Sequence, residues 1–276
     1  MVREAAARAV GEDVGPMDVT SRLIPAERVG TALLVTRESC VLAGIEVAEA
    51  VFREVDGNLK WKSLAKDGDR LQAGQAVAEV AGSVRSILTG ERCALNFLQR
   101  LSGVALQTAE YVRAVAGTSA RILDTRKTTP GLRALEKHAV CCGGGVNHRR
   151  GLYDAVLIKE NHLFWVGEQD LAGLISRARK ENPDMPVIVE ADSVALAKRL
   201  LPLALDRILL DNLTPEQVRE VVLARKSSGS QTLLEASGGV TLERAKKLAG
   251  AGVDFISVGA LTHSARAIDL ALDWKK

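Results

Sequence analysis

Val187-Ile-Val-Glu-Ala-Asp-Ser-Val-Ala-Leu-Ala-Lys-Arg-Leu-Leu-Pro-Leu-Ala-Leu-Asp-Arg-Ile-Leu-Leu-Asp211 is the stretch whose reading decides the fold. An apolar run ends in Glu190, an amphipathic stretch runs from Ser193 to Leu201, and a second apolar run, Ile208 to Leu210, ends in Asp211. Short apolar runs alternating with helical stretches indicate parallel strands buried on both faces and covered by helices. The unit recurs on both sides. Upstream, Arg121-Ile-Leu leads to Asp124 and the Arg126-Lys127 pair, and Ala155-Val-Leu-Ile leads to Lys159. Downstream, Thr232-Leu-Leu leads to Glu235 and Phe255-Ile-Ser-Val to Gly259. Helical stretches at Gln169 to Lys180, Pro215 to Arg225 and Leu242 to Leu248 fill the intervals. About six such units predict an α/β fold with an incomplete α/β barrel, smaller or more open than the usual eight strands. In a barrel the strand C-termini share one rim, so the ionisable residues that end these runs should face one pocket.

Residues 1 to about 105 have a different texture. Thr31-Ala-Leu-Leu-Val, Cys40-Val-Leu-Ala, Lys60-Trp-Lys-Ser-Leu and Ala76-Val-Ala-Glu-Val-Ala read as strands, Ile45 to Val55 as a helix, and Asp67-Gly-Asp and Ala73-Gly-Gln as turns. Two helical stretches, Ile87 to Leu101 and Val104 to Val115, lead on to the barrel units. At the C-terminus Ile268, Leu270, Leu272 and Trp274 alternate with Asp269, Ala271 and Asp273. That period of two predicts a half-buried strand returning to the N-terminal sheet.

The totals exclude several functions. Net charge is +3 over 276 residues, so any cationic cluster is local. Aromatic content of 3% leaves few platforms on which bases could stack, which disfavours a nucleic-acid partner. No apolar run approaches the ~20 residues of a membrane span. The opening Met1-Val-Arg-Glu-Ala-Ala-Ala-Arg-Ala is an amphipathic helix pattern without a signal peptide's apolar centre. Cys40, Cys93, Cys141 and Cys142 form no Cys-x-x-Cys pair and suit a reducing compartment, with the cytoplasm as default. The adjacent Cys141 and Cys142 suit neither a metal pair nor an ordinary disulfide and read as small packing residues.

Cations concentrate between Arg126 and Lys159, where Thr125-Arg-Lys-Thr-Thr-Pro-Gly-Leu-Arg133 is followed by Gly143-Gly-Gly-Val-Asn-His-Arg-Arg-Gly151 and Leu157-Ile-Lys-Glu-Asn-His162. Their mutual repulsion would be relieved by a polyanionic ligand carrying carboxylates, phosphates or both. Gly143-Gly-Gly145, running into Asn147-His148-Arg149, reads as a ligand loop, with a plain turn as the alternative. Ala236-Ser237-Gly238-Gly239 and Gly259-Ala260 each follow a strand and precede a helix, the usual place for a phosphate on backbone N–H groups, although ordinary turns look the same. Glu190 and Asp211 read either as helix N-caps or as contacts to Mg²⁺ or ribose hydroxyls. Lys159, at the end of a buried strand, needs an anionic partner. His148 reads as a ligand contact, and His138 and His162 as structural. By themselves these residues suit either an enzyme or a non-catalytic barrel that senses a phosphorylated metabolite.

These motifs, with Glu12-Asp-Val-Gly-Pro-Met-Asp-Val-Thr20, Gly90-Glu-Arg-Cys-Ala-Leu-Asn-Phe97, Glu235-Ala-Ser-Gly-Gly239 and Ile256-Ser-Val-Gly-Ala-Leu-Thr-His-Ser264, resemble the bacterial quinolinate phosphoribosyltransferase family over nearly the whole chain. The resemblance implies an N-terminal α/β sandwich domain over 1–105, to which a strand at 266–276 returns, and a catalytic barrel over 106–265. It implies phosphoribosyl transfer from phosphoribosyl pyrophosphate to quinolinate with decarboxylation, giving nicotinate mononucleotide, pyrophosphate and CO₂ for NAD biosynthesis. Quinolinate contacts fall on Arg126, His148, Arg149 and Lys159, with Arg92 supplied by the other subunit of a homodimer; a hexamer stays open. Phosphoribosyl pyrophosphate contacts fall on Lys127, Lys159, Glu190, Asp211, Ser237, Gly238, Gly239, Val258, Gly259 and Ala260, and Thr125 belongs to the same substrate-binding set. Lys127, Lys159, Glu190 and Asp211 carry catalysis, and Glu190 and Asp211 are the carboxylates available to Mg²⁺. The chain departs from the family pattern at Pro16-Met17, where a glycine commonly stands, at Ala191 for a frequent valine, at Cys141 for a frequent arginine, and at Arg266, where a small residue or proline is expected.

Overall fold

The computed structural model describes residues 1–167 and 170–275. Contacts divide the chain into two compact units, one of residues 1–109, 128–144 and 261–276, the other of 110–127 and 145–260. The domain limits expected from the sequence, 1–105 and 106–265, differ from this division chiefly at 128–144, which groups with the first unit.

The first unit is built on a four-stranded sheet in the order β12-β1-β5-β3, comprising β1 (Val29–Thr36), β3 (Lys60–Ser63), β5 (Ala76–Ser83) and β12 (Leu270–Trp274), all paired antiparallel. The C-terminal alternation thus becomes β12, with Leu272 opposite Leu34 and Trp274 opposite Ala32. A two-residue pair, β2 (Cys40–Val41) with β4 (Arg70–Leu71), stands apart. Helices α1 (Val2–Val14), α2 (Ile45–Val55) and most of α3 (Val84–Ala114) belong to the same unit. Leu34, Val51, Phe52, Val80, Ile87, Leu95 and Leu98 bury their side chains in one core, each contributing about 1.5–3 kcal/mol. Asp18 accepts from the Ser21 hydroxyl, from the Ser21 backbone N–H, from the Thr89 hydroxyl on α3 and from the Thr20 backbone N–H, hydrogen bonds that hold its carboxyl down at about 2. Arg266 forks onto Glu38 at 2.7 and 2.5 Å, which accounts for an arginine where a small residue was expected.

Helix α3 corrects the sequence reading of two helices broken at Ser102-Gly103. The helix runs through both residues. The Ser102 hydroxyl accepts from Ala43 N at 3.1 Å, and a Cβ on Gly103 would lie 1.8 Å from the Arg266 carbonyl oxygen. The glycine is there for a close approach of backbones and does not end the helix. The fourth helix, α4 (Arg133–Cys142), lies inside the cation-rich stretch Arg126 to Lys159, to which the sequence reading assigned no helix.

The second unit carries a parallel sheet in the order β6-β11-β10-β9-β8-β7, formed by β6 (Arg121–Leu123), β7 (Val156–Ile158), β8 (Val187–Ala191), β9 (Arg207–Asp211), β10 (Leu233–Ser237) and β11 (Phe255–Ser257). All six are the expected runs. The first strand, β6, pairs with the last, β11, as in a closing barrel, whereas β6 and β7 do not pair. The free edge of β6 instead bridges Val146, whose N–H donates to Ile122 O at 2.8 Å. Between strands lie α5 (Glu160–Val166), α6 (Leu171–Glu181), α7 (Val194–Leu200), α8 (Pro215–Ser228) and α9 (Leu242–Ala251), and α10 (Ala260–His263) follows β11. Gln169, the expected start of the helix that becomes α6, lies outside the described residues. Ser193, Thr214 and Thr241 cap α7, α8 and α9 through their hydroxyls.

Candidate active site

At the C-terminal ends of the parallel strands a cavity of about 400 Å³ opens. The sheet register explains who lines it. Glu190 stands opposite Leu209 and Asp211 opposite Ser237, while Lys159 directly follows β7 and Thr125, Arg126 and Lys127 follow β6. His148, Arg149, Asn212, Glu235, Gly238, Gly239 and Ser257 complete the polar wall, and Leu157 and Leu209 give it an apolar part. Eleven of the expected residues therefore share one cavity: Thr125, Arg126, Lys127, His148, Arg149, Lys159, Glu190, Asp211, Ser237, Gly238 and Gly239. A larger hollow, about 690 Å³, lies by the opposite strand ends near Leu205 and Leu233. Asp206 is its one ionisable wall residue, so it offers nothing comparable to a polyanion.

Glu190 and Asp211 are not caps, since Ser193 and Thr214 fill that role. Glu190 Oε2 instead meets Lys159 Nζ at 3.1 Å. The lysine is also less enclosed than its place at a strand end suggested, for its side chain is 46% exposed. The partner it needs is Glu190, and the pair can open to release an ammonium toward an anion. Asp211 Oδ2 accepts from Asn212 Nδ2 at 2.9 Å. His162 caps α5, its Nδ1 accepting from Lys159 N at 3.0 Å, as a structural histidine should.

Arg149 is half-buried, with one Nη donating to the Ala155 carbonyl at 3.2 Å. Burial first, and then the neighbouring Arg126 charge, hold its guanidinium below the ordinary arginine range. It stays cationic at neutral pH, and two guanidiniums near each other are the local repulsion that a dicarboxylate would relieve.

His148 is nearly buried, and its two ring nitrogens are engaged within the protein. Nδ1 accepts from Arg149 N at 2.7 Å, so in the neutral ring Nε2 carries the hydrogen; it faces Glu235 Oε1 at 3.4 Å. His148 therefore contributes to the wall while orienting Arg149 and Glu235. Glu235 is a strand-end residue to which the sequence reading gave no role beyond facing the pocket. It is fully buried and also receives Arg207 Nη1 at 2.7 Å and the Ser257 hydroxyl. Burial pushes its carboxyl up, but the hydrogen bond and charge of His148 and the Arg207 guanidinium outweigh that and hold it below the usual glutamate range. Its location in Glu235-Ala-Ser-Gly-Gly239 was the signal available; its partners come from other strands.

The loop after β10 is shaped for an anion. Gly238 has φ 96° and Gly239 φ 54°, and a Cβ on Gly238 would strike Asn212 Oδ1 at 2.0 Å. Successive glycines in left-handed conformations turn N–H groups toward one side. At the next loop Val258 N donates to Leu123 O at 2.9 Å, so that N–H serves the sheet, and Val258, Gly259 and Ala260 do not line the cavity. Gly143 and Gly144, read as a ligand loop, are accounted for by the end of α4. A Cβ on Gly143 would lie 2.4 Å from Ala105 O, and Gly144 has φ 86°. In the first unit, Arg92 is exposed on α3 and has no hydrogen-bond or ion-pair partner among the described residues.

The two halves of the chain match two domains of one family. Residues 18–102 match the quinolinate phosphoribosyl transferase N-terminal domain, and residues 104–273 its C-terminal domain. The nicotinate-nucleotide pyrophosphorylase [carboxylating] of Mycobacterium leprae is 44% identical over 98% of this chain and 96% of its own length. A probable nicotinate-nucleotide pyrophosphorylase [carboxylating] of Bacillus subtilis is 40% identical over 95% of this chain and 89% of its own. The solved structure of the nicotinate-nucleotide pyrophosphorylase from Francisella tularensis superposes with a TM-score of 0.92 at 37% identity, over 99% of this chain and 96% of that one. Matched by both domains in order and by relatives over nearly its full length, the chain belongs to the quinolinate phosphoribosyltransferase family.

Proposed function

We propose that the protein transfers the phosphoribosyl group of phosphoribosyl pyrophosphate to quinolinate and releases pyrophosphate and CO₂, forming nicotinate mononucleotide for NAD biosynthesis. The observation that carries this reading is the gathering of Arg126, Lys127, Arg149 and Lys159 around a cavity that also holds an anion-shaped glycine loop. Both substrates are polyanions. Arg126 and Arg149 suit the two carboxylates of quinolinate, each guanidinium presenting a fork of N–H donors to one carboxylate. Lys127, Ser237, Gly238 and Gly239 suit the phosphates, and Lys159 suits either substrate.

In the reaction the quinolinate nitrogen forms a bond to ribose C1 as the C1–O bond to pyrophosphate breaks and its electron pair leaves with the pyrophosphate. Positive charge develops at C1, and carboxylates such as Glu190 and Asp211 favour it electrostatically while Lys127 and Lys159 favour the departing anion. The ring nitrogen is now cationic. The bond from C2 to the adjacent carboxylate breaks, CO₂ leaves, and the electron pair left at C2 is stabilised by that cation until a proton arrives. A barrel that only sensed a phosphorylated metabolite would have no use for a second, carboxylate-reading arginine.

Glu190 and Asp211 fit a Mg²⁺ ion that takes most of its oxygens from pyrophosphate and water. They are hard carboxylate donors, and among the described residues no third His, Cys, Asp or Glu joins them in a self-sufficient cage. When bound, the ion supplies charge that favours departure of pyrophosphate. The four free thiols suit a reducing compartment, in keeping with action in the cytoplasm. Incubation with phosphoribosyl pyrophosphate, Mg²⁺ and quinolinate should yield CO₂ and pyrophosphate in equal amounts; pyrophosphate without CO₂ would overturn the reading.

The same reading makes the enzyme a homodimer in which Arg92 serves the partner's site. An exposed arginine on α3 that has no hydrogen-bond or ion-pair partner among the described residues, next to the buried Cys93, Ala94 and Leu95, supports this. Inactive Arg92→Ala and inactive Lys159→Ala subunits, mixed and allowed to exchange, should recover activity, because each heterodimer rebuilds one complete site. Confirmed exchange with no recovery would contradict it.

A further inference from the structure

His138 and Cys142 stand four residues apart on α4 and so share one face of the helix. Facing them is Asp67, in the turn between β3 and β4. Asp67 Oδ2 lies 2.8 Å from His138 Nε2, and Cys142 Sγ lies 3.5 Å from the same nitrogen. One ligand atom from each residue falls within 4.8 Å of the other two. Asp67 is held in place from behind, its Oδ1 accepting from Ile45 N at 3.0 Å at the start of α2. A single ring nitrogen thus faces both a carboxylate oxygen and a sulfur, and its one hydrogen or lone pair can satisfy only one of them. The substrate chemistry uses none of the three.

We propose that Asp67, His138 and Cys142 form a site for a borderline-soft divalent cation of the Zn²⁺ class, with water as the fourth ligand. A tetrahedral ion with bonds of about 2.0–2.3 Å separates its donor atoms by roughly 3.3–3.6 Å. The observed 3.5 Å between Sγ and Nε2 already meets this. The 2.8 Å contact between Oδ2 and Nε2 must open by about half an ångström. His138 has that freedom, because its side chain is 56% exposed, and the same exposure gives water access. Sulfur and imidazole select Zn²⁺ or Co²⁺ over Mg²⁺, so this site and the rim carboxylates do not compete for one ion. On binding, the Cys142 thiol gives its proton to solvent, and thiolate plus carboxylate neutralise the dication. The ion would clamp the Asp67 turn to α4 within one compact unit.

Cobalt titration of the full chain, stripped with a chelator, tests the site without any substrate. One equivalent of Co²⁺ should bring up the thiolate-to-cobalt charge-transfer band and the strong visible bands of a four-coordinate ion, and Zn²⁺ should abolish both. The band should vanish in Cys142→Ser and persist in Cys141→Ser, and His138→Ala should weaken binding by roughly ten-fold or more. Zn²⁺ should raise the melting temperature of the wild-type chain and not that of Cys142→Ser, a readout that stands even if a variant folds poorly. Absence of the band in the wild-type chain, or its survival in Cys142→Ser, would falsify the site and leave the transferase reading untouched.

Discussion

The two ends of the parallel sheet use the same residue types for opposite purposes. At the strand N-termini, Asp206 accepts from Val187 N at 2.8 Å and from Arg179 at 3.0 Å, and Asp254 accepts from Leu234 N at 2.7 Å and from Arg225. Asp206 takes up the first N–H of β8 and Asp254 the second of β10, and each carboxylate is then closed off by an arginine. At the C-termini, Glu190 and Asp211 cap no helix, and Arg126, Lys127 and Lys159 line an open cavity with them. An ionisable side chain before a strand completes the sheet; one after a strand is left over for a ligand. Glu235 is the exception, a rim carboxylate drawn inside and held by three partners.

That contrast can be broken first by kinetics. Asp211→Ala and Lys127→Ala should each lower kcat by about 10²–10³ while calorimetry finds quinolinate affinity preserved. Asp254→Ala should keep kcat within a few-fold and instead lose about 1–3 kcal/mol of stability, the cost of leaving Leu234 N unsatisfied and Arg225 without its carboxylate. Lost quinolinate affinity with intact turnover at Lys127 or Asp211 would remove them from the phosphoribosyl side.

Glu235 sharpens the comparison because it should behave as neither end does. Glu235→Ala leaves the half-buried Arg207 without its carboxylate and should cost about 2–4 kcal/mol in urea unfolding. Because the folded carboxyl titrates below its ordinary range, its stabilising contribution is complete above the ordinary glutamate pKa and is lost as pH falls through the lowered folded value. Glu235→Gln should therefore flatten the acid limb of the stability curve. An unchanged acid limb would mean that the carboxylate is not held by His148 and Arg207.

Much of this was legible in the sequence, and the remainder has physical reasons. Apolar runs ending in Lys159, Glu190 and Asp211 fixed both strands and rim, since in parallel strands a change of hydropathy marks where the backbone leaves the sheet. The caps could also have been read, because Thr214-Pro-Glu-Gln217 has the capping-box spacing that the structure shows. Gly103 misled because its cause, the Arg266 carbonyl, lies far along the chain. Gly143 misled for a related reason, since glycine for close packing and glycine for a ligand are identical as letters. The role of Glu235 depends on His148, Arg207 and Ser257, three residues that only the folded sheet brings together. Cys142 was read as packing because its partners, one helical turn away and in the Asp67 turn, do not form a recognisable motif.

The central claim is that Arg126 and Arg149 together read two carboxylates at the rim. Its most direct test is the ratio of kcat/KM for quinolinate to that for nicotinate, which lacks the carboxylate beside the ring nitrogen, at saturating phosphoribosyl pyrophosphate and Mg²⁺. With one of the two guanidiniums facing no substrate carboxylate in a half-buried site, nicotinate should be poorer by at least about 10²-fold. Comparable values for the two acids would contradict the account.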